Sequence, residues 1–212
     1  VNGTLERSHL RDVSFNYVYT GDPSSRTTMI DEIDIRSELW EPKKDDVVFD
    51  VGAAYGSYSL PAAAAGADVY AFEPFPELIE GLQQNIEANG FQNIHVCPFA
   101  LGAESGKKLV DIYRPKPPIE MQVEALDGVF DGLKLKRLDW VKVDTEGMEM
   151  DVLAGGFKTI KRYHPTLILE IHTFMPGIAL GEAIEAMMDF GYQEIKQRDR
   201  NICRMLYARM LG

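Results

Sequence analysis

The stretch Val47–Ser59, VVFDVGAAYGSYS, constrains this chain more than any other. An apolar run leads into Asp50, and glycines follow at positions 52 and 56. A short apolar run stopped by glycine reads as a strand buried on both faces of a parallel sheet. Gly52 lets the chain turn sharply and come close to a ligand with no Cβ in the way. The helix predicted after the turn offers free backbone N–H groups at its N-terminus, which favour a carboxylate or phosphate. The spacing is D-x-G-x-x-x-G, not the G-x-G-x-x-G of dinucleotide-binding folds. Asp50, at the end of this strand, could hold an ammonium group.

A second strand, residues 68–72, ends on Glu73, seventeen residues after Gly56. A carboxylate there can accept hydrogen bonds from both ribose hydroxyls. A ligand with an amino acid at one end and a ribose at the other satisfies Asp50 and Glu73 together. S-adenosylmethionine is such a ligand.

A chain of 212 residues fits one α/β domain with a short N-terminal addition. Residues 1–46 are expected to cap or edge the domain, and 47–212 to form it. With 45% hydrophobic and 26% charged residues, the composition is that of a soluble globular protein. The net charge of −11 argues against nucleic acid as a partner. Residues 134–137 and 158–162 are locally basic and read as solvated faces. No apolar run reaches the eighteen or so residues of a membrane span. No signal peptide is read, and two cysteines without a disulfide framework make a reducing, cytoplasmic setting the expectation. Cys97 and Cys203 give neither metal spacing nor a disulfide framework; Cys97 is expected in the core.

Before the turn, Phe15, Tyr17 and Tyr19 alternate with other residues as in a strand with an aromatic face. GDPSS at 21–25 is a turn signal. A helix is expected over 28–40, with Met29, Ile33 and Trp40 inward. After Gly56 the sequence predicts a helix over 57–65, a strand at 68–73 and an amphipathic helix over 77–89 with Leu78, Leu82 and Ile86 inward. A third strand is expected within 93–101. Residues 102–124 break the rhythm: an edge strand over 107–113, then three prolines between 114 and 118, which exclude a central strand. A short strand and turn follow over 121–130. Next come a strand at 139–145 and one helix over 146–160, with Met150, Leu153, Phe157 and Ile160 on one face and Gly155-Gly156 weakening its middle. The last elements are a strand at 166–172, a helix over 178–190, and two strands, 193–196 and 202–208.

Ligands in such sheets lie beyond the carboxyl ends of the strands. Four expected strands end in acidic residues there: Asp50, Glu73, Asp144 and Glu170. Glu146 and His172 follow closely, and alternation puts Ile168, Glu170 and His172 on one side. Unpaired like charges at one edge are costly when desolvated, so a cation, a sulfonium ligand or a metal is expected among them. His172 titrates near neutrality and suits a general base. Glu149 reads more simply as part of the helix start.

At these residues the chain resembles the FkbM-type S-adenosylmethionine-dependent methyltransferases. The matching stretches are Phe49–Ala53 with Gly56, Ala71-Phe-Glu-Pro74, Val141–Glu149 with Val152–Gly155, and Pro165–His172. Together they span roughly residues 45–200, and the K-x-D-x-E-G-x-E run is the most specific of them. The resemblance implies a doubly wound, Rossmann-like class I methyltransferase sheet, mostly parallel, with a C-terminal antiparallel hairpin. It also implies methylation of a hydroxyl on a sugar, polyketide or other small metabolite. The expected cofactor contacts are Asp50, Gly52, Ala53, Tyr55, Gly56, Glu73, Pro74, Phe99, Ala100 and Asp144. The expected catalytic residues are His172, Glu146 and Asp144. A divalent metal on Asp144, Glu146 and Glu170 or His172 is an alternative way to lower the hydroxyl's pKa. Two departures stand out. Ala54 replaces an asparagine frequent in the family, and the third strand lacks a terminal carboxylate. A non-catalytic S-adenosylmethionine-binding module and a nicotinamide-dependent dehydrogenase are the rival readings.

Overall fold

The computed structural model describes residues 4–19, 33–110, 118–172, 180–199 and 204–211. The turn expected at 21–25, Met29, most of the 114–118 proline cluster and Cys203 lie outside these residues. The chain forms two compact units, one up to Pro98 and one from Phe99 onward.

The first unit opens with an antiparallel hairpin, β1 (Thr4–Leu10) and β2 (Val13–Tyr19). The expected aromatic face is real: Phe15 and Tyr17 are buried. The short helix α1 (Ile33–Leu39) buries Ile35 and Leu39 and is followed by buried Trp40. Ile33, expected inward, is exposed; it is the first described residue of the helix, and the buried face starts two positions later.

Then comes the alternation β3 (Val47–Val51), α2 (Ser59–Ala64), β4 (Asp68–Phe72), α3 (Pro76–Asn89) and β5 (Ile94–Cys97). β3, β4 and β5 run parallel, with Asp50 beside Ala71. All five residues of β3 are buried, as its near-continuous apolar character requires. Pro61 is the third residue of α2, where its missing N–H costs no helical bond. α3 buries Leu78 and Leu82 and ends at Gly90 in the left-handed conformation. Cys97 is half-buried on β5 rather than in the core, because among the described residues β4 is the only strand hydrogen-bonded to β5. Burial still pushes its thiol up to about 11.

The expected strand across 93–101 is divided. Proline 98 cannot donate to a ladder, and beyond it β6 (Ala100–Gly102) joins a different sheet in the second unit. There β6 runs parallel to β8 (Ile119–Ala125), which pairs antiparallel with β7 (Gly106–Val110). The turn expected after β8 is a helix, α4 (Leu126–Gly132), anchored by buried Leu126 and Phe130.

β9 (Trp140–Val143) and β10 (Thr166–Ile171) are parallel neighbours. Between them the single expected helix is two, α5 (Glu149–Gly155) and α6 (Phe157–Tyr163). Gly155 lies so close to β6 that an added Cβ would sit 2.0 Å from the Gly102 carbonyl oxygen. The Asp127 carboxylate then accepts the N–H groups of Lys158 (3.1 Å) and Thr159 (2.8 Å), so α6 has its own N-terminal cap. Phe157 is consequently exposed instead of sharing a face with Leu153. After α7 (Leu180–Phe190), β11 (Glu194–Asp199) and β12 (Arg204–Arg209) form the expected antiparallel hairpin, with β12 on β10. Among the described residues no helix is long and apolar enough to cross a membrane.

Candidate active site

In the first unit the glycine-rich turn runs from Gly52 to Tyr58. Gly52 has φ 78° and Gly56 φ 92°, both left-handed. At Gly56 a Cβ would also meet the Leu82 side-chain end, Cδ1, at 2.7 Å, but it is the left-handed φ that calls for glycine there. The N–H groups of Gly52 and Ala53 donate to the Phe72 carbonyl at 2.9 and 3.1 Å, which bends the chain over the end of β4. Asp50 is buried, and the hydroxyl of Ser59 donates to its Oδ2 at 2.6 Å.

Glu73 follows β4 and is also buried. Its Oε2 accepts the N–H of Ala54 at 2.9 Å and its Oε1 the N–H of Phe75 at 3.0 Å. Charge-assisted bonds from two backbone donors hold this carboxylate in one orientation. Pro74 continues the same loop, and Ala53 and Tyr55 are buried in the turn. Ala54 has φ 46°, a value strained for an alanine because of its Cβ. Seven expected cofactor residues, Asp50, Gly52, Ala53, Tyr55, Gly56, Glu73 and Pro74, therefore fall on one turn and the strand ends beside it.

In the second unit Phe99 is half-buried and Ala100 buried at the start of β6. Asp144 and Glu146 follow β9, and His172 follows β10. Glu146 has φ 56° and Gly147 φ 120°; two successive left-handed residues turn the chain from β9 into α5. The structure brings three of the expected residues together. Nε2 of buried His172 lies 3.8 Å from Asp144 Oδ1 and 3.7 Å from Glu146 Oε2. Glu170 is buried on β10, where it pairs with Met205. Among the described residues no group of three metal-ligating side chains could hold a metal ion. Neither expected metal set, Asp144 and Glu146 with Glu170 or with His172, forms such a group; the two carboxylates and the imidazole that do meet pair with one another.

Two residues outside the expected set complete the cluster. Glu149, fully buried, accepts from the Gly147 N–H at 3.0 Å and pairs with His172 Nδ1 at 2.9 Å, both through Oε1. Its Oε2 is buried with no hydrogen-bond partner among the described residues. Lys142, on otherwise apolar β9, is buried with its ammonium 3.4 Å from Asp144 Oδ2. Its signal was a lysine inside a four-residue apolar strand. Glu149 was legible as a carboxylate three residues after Glu146, but only the fold turns it inward.

Burial alone would lower the imidazole pKa of His172. The hydrogen bond to Glu149 and the charges of Asp144, Glu146 and Glu149 outweigh that and raise it to about 9. At neutral pH His172 is an imidazolium that gathers three carboxylates.

Residues 50–195 match the methyltransferase FkbM domain. The chain belongs to the FkbM methyltransferase family. It is 29% identical over 152 residues to the hexuronic acid methyltransferase AglP of Haloferax volcanii, covering 65% of this chain and 61% of that protein. The FkbM methyltransferase structure from Methylobacillus flagellatus superposes with a TM-score of 0.62 at 17% identity, over 88% of this chain and 55% of that one. Aeropyrum pernix fibrillarin, solved with natively bound S-adenosyl-L-methionine, superposes with a TM-score of 0.54 at 12% identity over 98% of this chain and 99% of that one. These likenesses establish the class I methyltransferase fold. This FkbM chain thus spans only a little over half the length of the first two of these relatives.

Proposed function

We propose that this protein is an S-adenosylmethionine-dependent O-methyltransferase acting on a hydroxyl of a sugar or related small metabolite. The observation that carries the reading is Glu73, fixed by the N–H groups of Ala54 and Phe75 at the strand end where folds of this kind bind a ribose diol. Asp50, oriented by Ser59, takes the amino-acid end of the cofactor. The sugar acceptor is carried over from the name of the Haloferax relative.

In the transfer, the acceptor oxygen bonds to the methyl carbon as the carbon–sulfur bond breaks. The electron pair stays on sulfur and leaves a neutral thioether. The donor is already activated, so in-line placement is most of the protein's work. The hydroxyl proton must also leave as the bond forms. At neutral pH the carboxylates of Asp144 and Glu146 are the acceptors for it. His172, being protonated there, positions both of them and balances their charge.

The test is methyl transfer from labelled S-adenosylmethionine to a panel of neutral sugars and hexuronic acids. Transfer to a hydroxyl is expected. Asp144→Asn combined with Glu146→Gln is expected to lower kcat about 100-fold or more. Full turnover in that double variant would remove the proposed base.

A further inference from the structure

We infer that Asn85 is a positioning residue that ties the N-terminal hairpin to the glycine-rich turn, so that the hairpin helps set the turn's shape for the cofactor. The inference rests on the cofactor reading above. Asn85 is fully buried on α3, a position where an amphipathic helix ordinarily carries an apolar side chain. Its Oδ1 accepts the Val18 N–H at 2.6 Å, and its Nδ2 donates to the Tyr55 carbonyl at 2.9 Å. One amide thus touches β2 with one end and the turn with the other, and both ends are satisfied.

The match to β2 has a geometric basis. Four helical residues advance about 6 Å and two strand residues about 6.6 Å. Asparagines four apart on α3 can therefore serve alternate residues of β2. Asn89 fills the second place: it accepts the Asn16 N–H at 2.6 Å and donates to the Asn16 carbonyl at 2.8 Å. Among the described residues, the edge of β2 away from β1 meets these side chains and no third strand. Both asparagines hold the hairpin, but of the two only Asn85 is bonded to the turn. A second tie comes from the same N-terminal segment: Trp40 Nε1–H donates to the Tyr58 carbonyl at 3.1 Å. The turn has no regular ladder of its own, so such bonds are what fix its shape.

The difference between the two asparagines supplies the experiment. Wild type, Asn85→Ala and Asn89→Ala are compared by calorimetric titration with S-adenosylhomocysteine and by amide hydrogen exchange. Both variants should speed exchange in residues 13–19. Only Asn85→Ala should also speed exchange at 53–58 and raise the Kd, by about tenfold for one buried hydrogen bond. Asn89→Ala should leave the Kd within about twofold. Asn85→Ser, too short to reach both partners, serves if Asn85→Ala fails to fold. Equal weakening by the Asn89 and Asn85 variants, or an unchanged turn in Asn85→Ala, would overturn the coupling. Failure of the wild type to bind overturns the cofactor reading instead, and exchange at 53–58 still decides the coupling.

Discussion

Nδ1 of His172 lies 2.9 Å from Oε1 of Glu149, and both side chains are buried. The same carboxylate oxygen takes the N–H of Gly147, so the turn after β9 and the charge on the imidazole are linked. His172 is raised above its ordinary value of 6.5 to about 9. Its contribution to stability is therefore fully present below pH 6.5 and lost as pH rises through about 9. Glu149→Gln removes the charge and keeps the shape. NMR titration of His172 in that variant should give a pKa below 9, and the loss of stability between pH 6.5 and 9 should shrink. An unchanged His172 titration would show that Glu149 does not govern it.

The same protonation has a kinetic consequence. With the carboxylates as base and the imidazolium as their anchor, kcat should be flat near neutrality and fall as pH passes about 9. A general base at His172 would give the opposite profile, with kcat rising through that range. A pH–rate profile at saturating cofactor decides between them.

Gly155 reports on packing. Its missing Cβ would sit 2.0 Å from the Gly102 carbonyl oxygen and 3.0 Å from the carbonyl carbon, both backbone atoms that cannot step aside. Gly155→Ala should cost about 3 kcal/mol. Gly128→Ala, with open space around it, should come within about 0.5 kcal/mol of wild type. Denaturant unfolding of the two variants is the check.

How much of this was legible follows from which forces are local. The β3 run, Gly56 and Glu73 were readable because strand burial, a left-handed turn and a strand-end carboxylate leave marks within a dozen residues. The C-terminal hairpin was readable for the same reason. The break between α5 and α6 was only half readable. Gly155-Gly156 was visible, but its cause is β6, fifty residues earlier in the chain. The same holds for β6, whose partner β8 lies across the proline cluster. Glu149 and Lys142 were missed as site residues because their meaning comes from burial beside His172 and Asp144. The charge state of His172 was out of reach too, since it depends on three carboxylates converging from another segment.

Ala54 holds a left-handed φ of 46° while its N–H orients Glu73. Ala54→Gly keeps that N–H and relieves the Cβ clash, so it should stabilise the fold by about 1 kcal/mol after the entropy of glycine is counted. Ala54→Asn should also stabilise, because asparagine tolerates this region. Ala54→Val should destabilise. Thermal unfolding of the three variants is enough to see the order.

Calorimetric titration of the wild-type protein with S-adenosylhomocysteine, set against Glu73→Ala and Asp50→Ala, tests the central claim most directly. The expected result is saturable one-to-one binding by the wild type and its loss in both variants, with folding kept as judged by circular dichroism. Absence of binding by folded wild type, or binding that survives Glu73→Ala undiminished, would contradict the assignment of this turn to the cofactor.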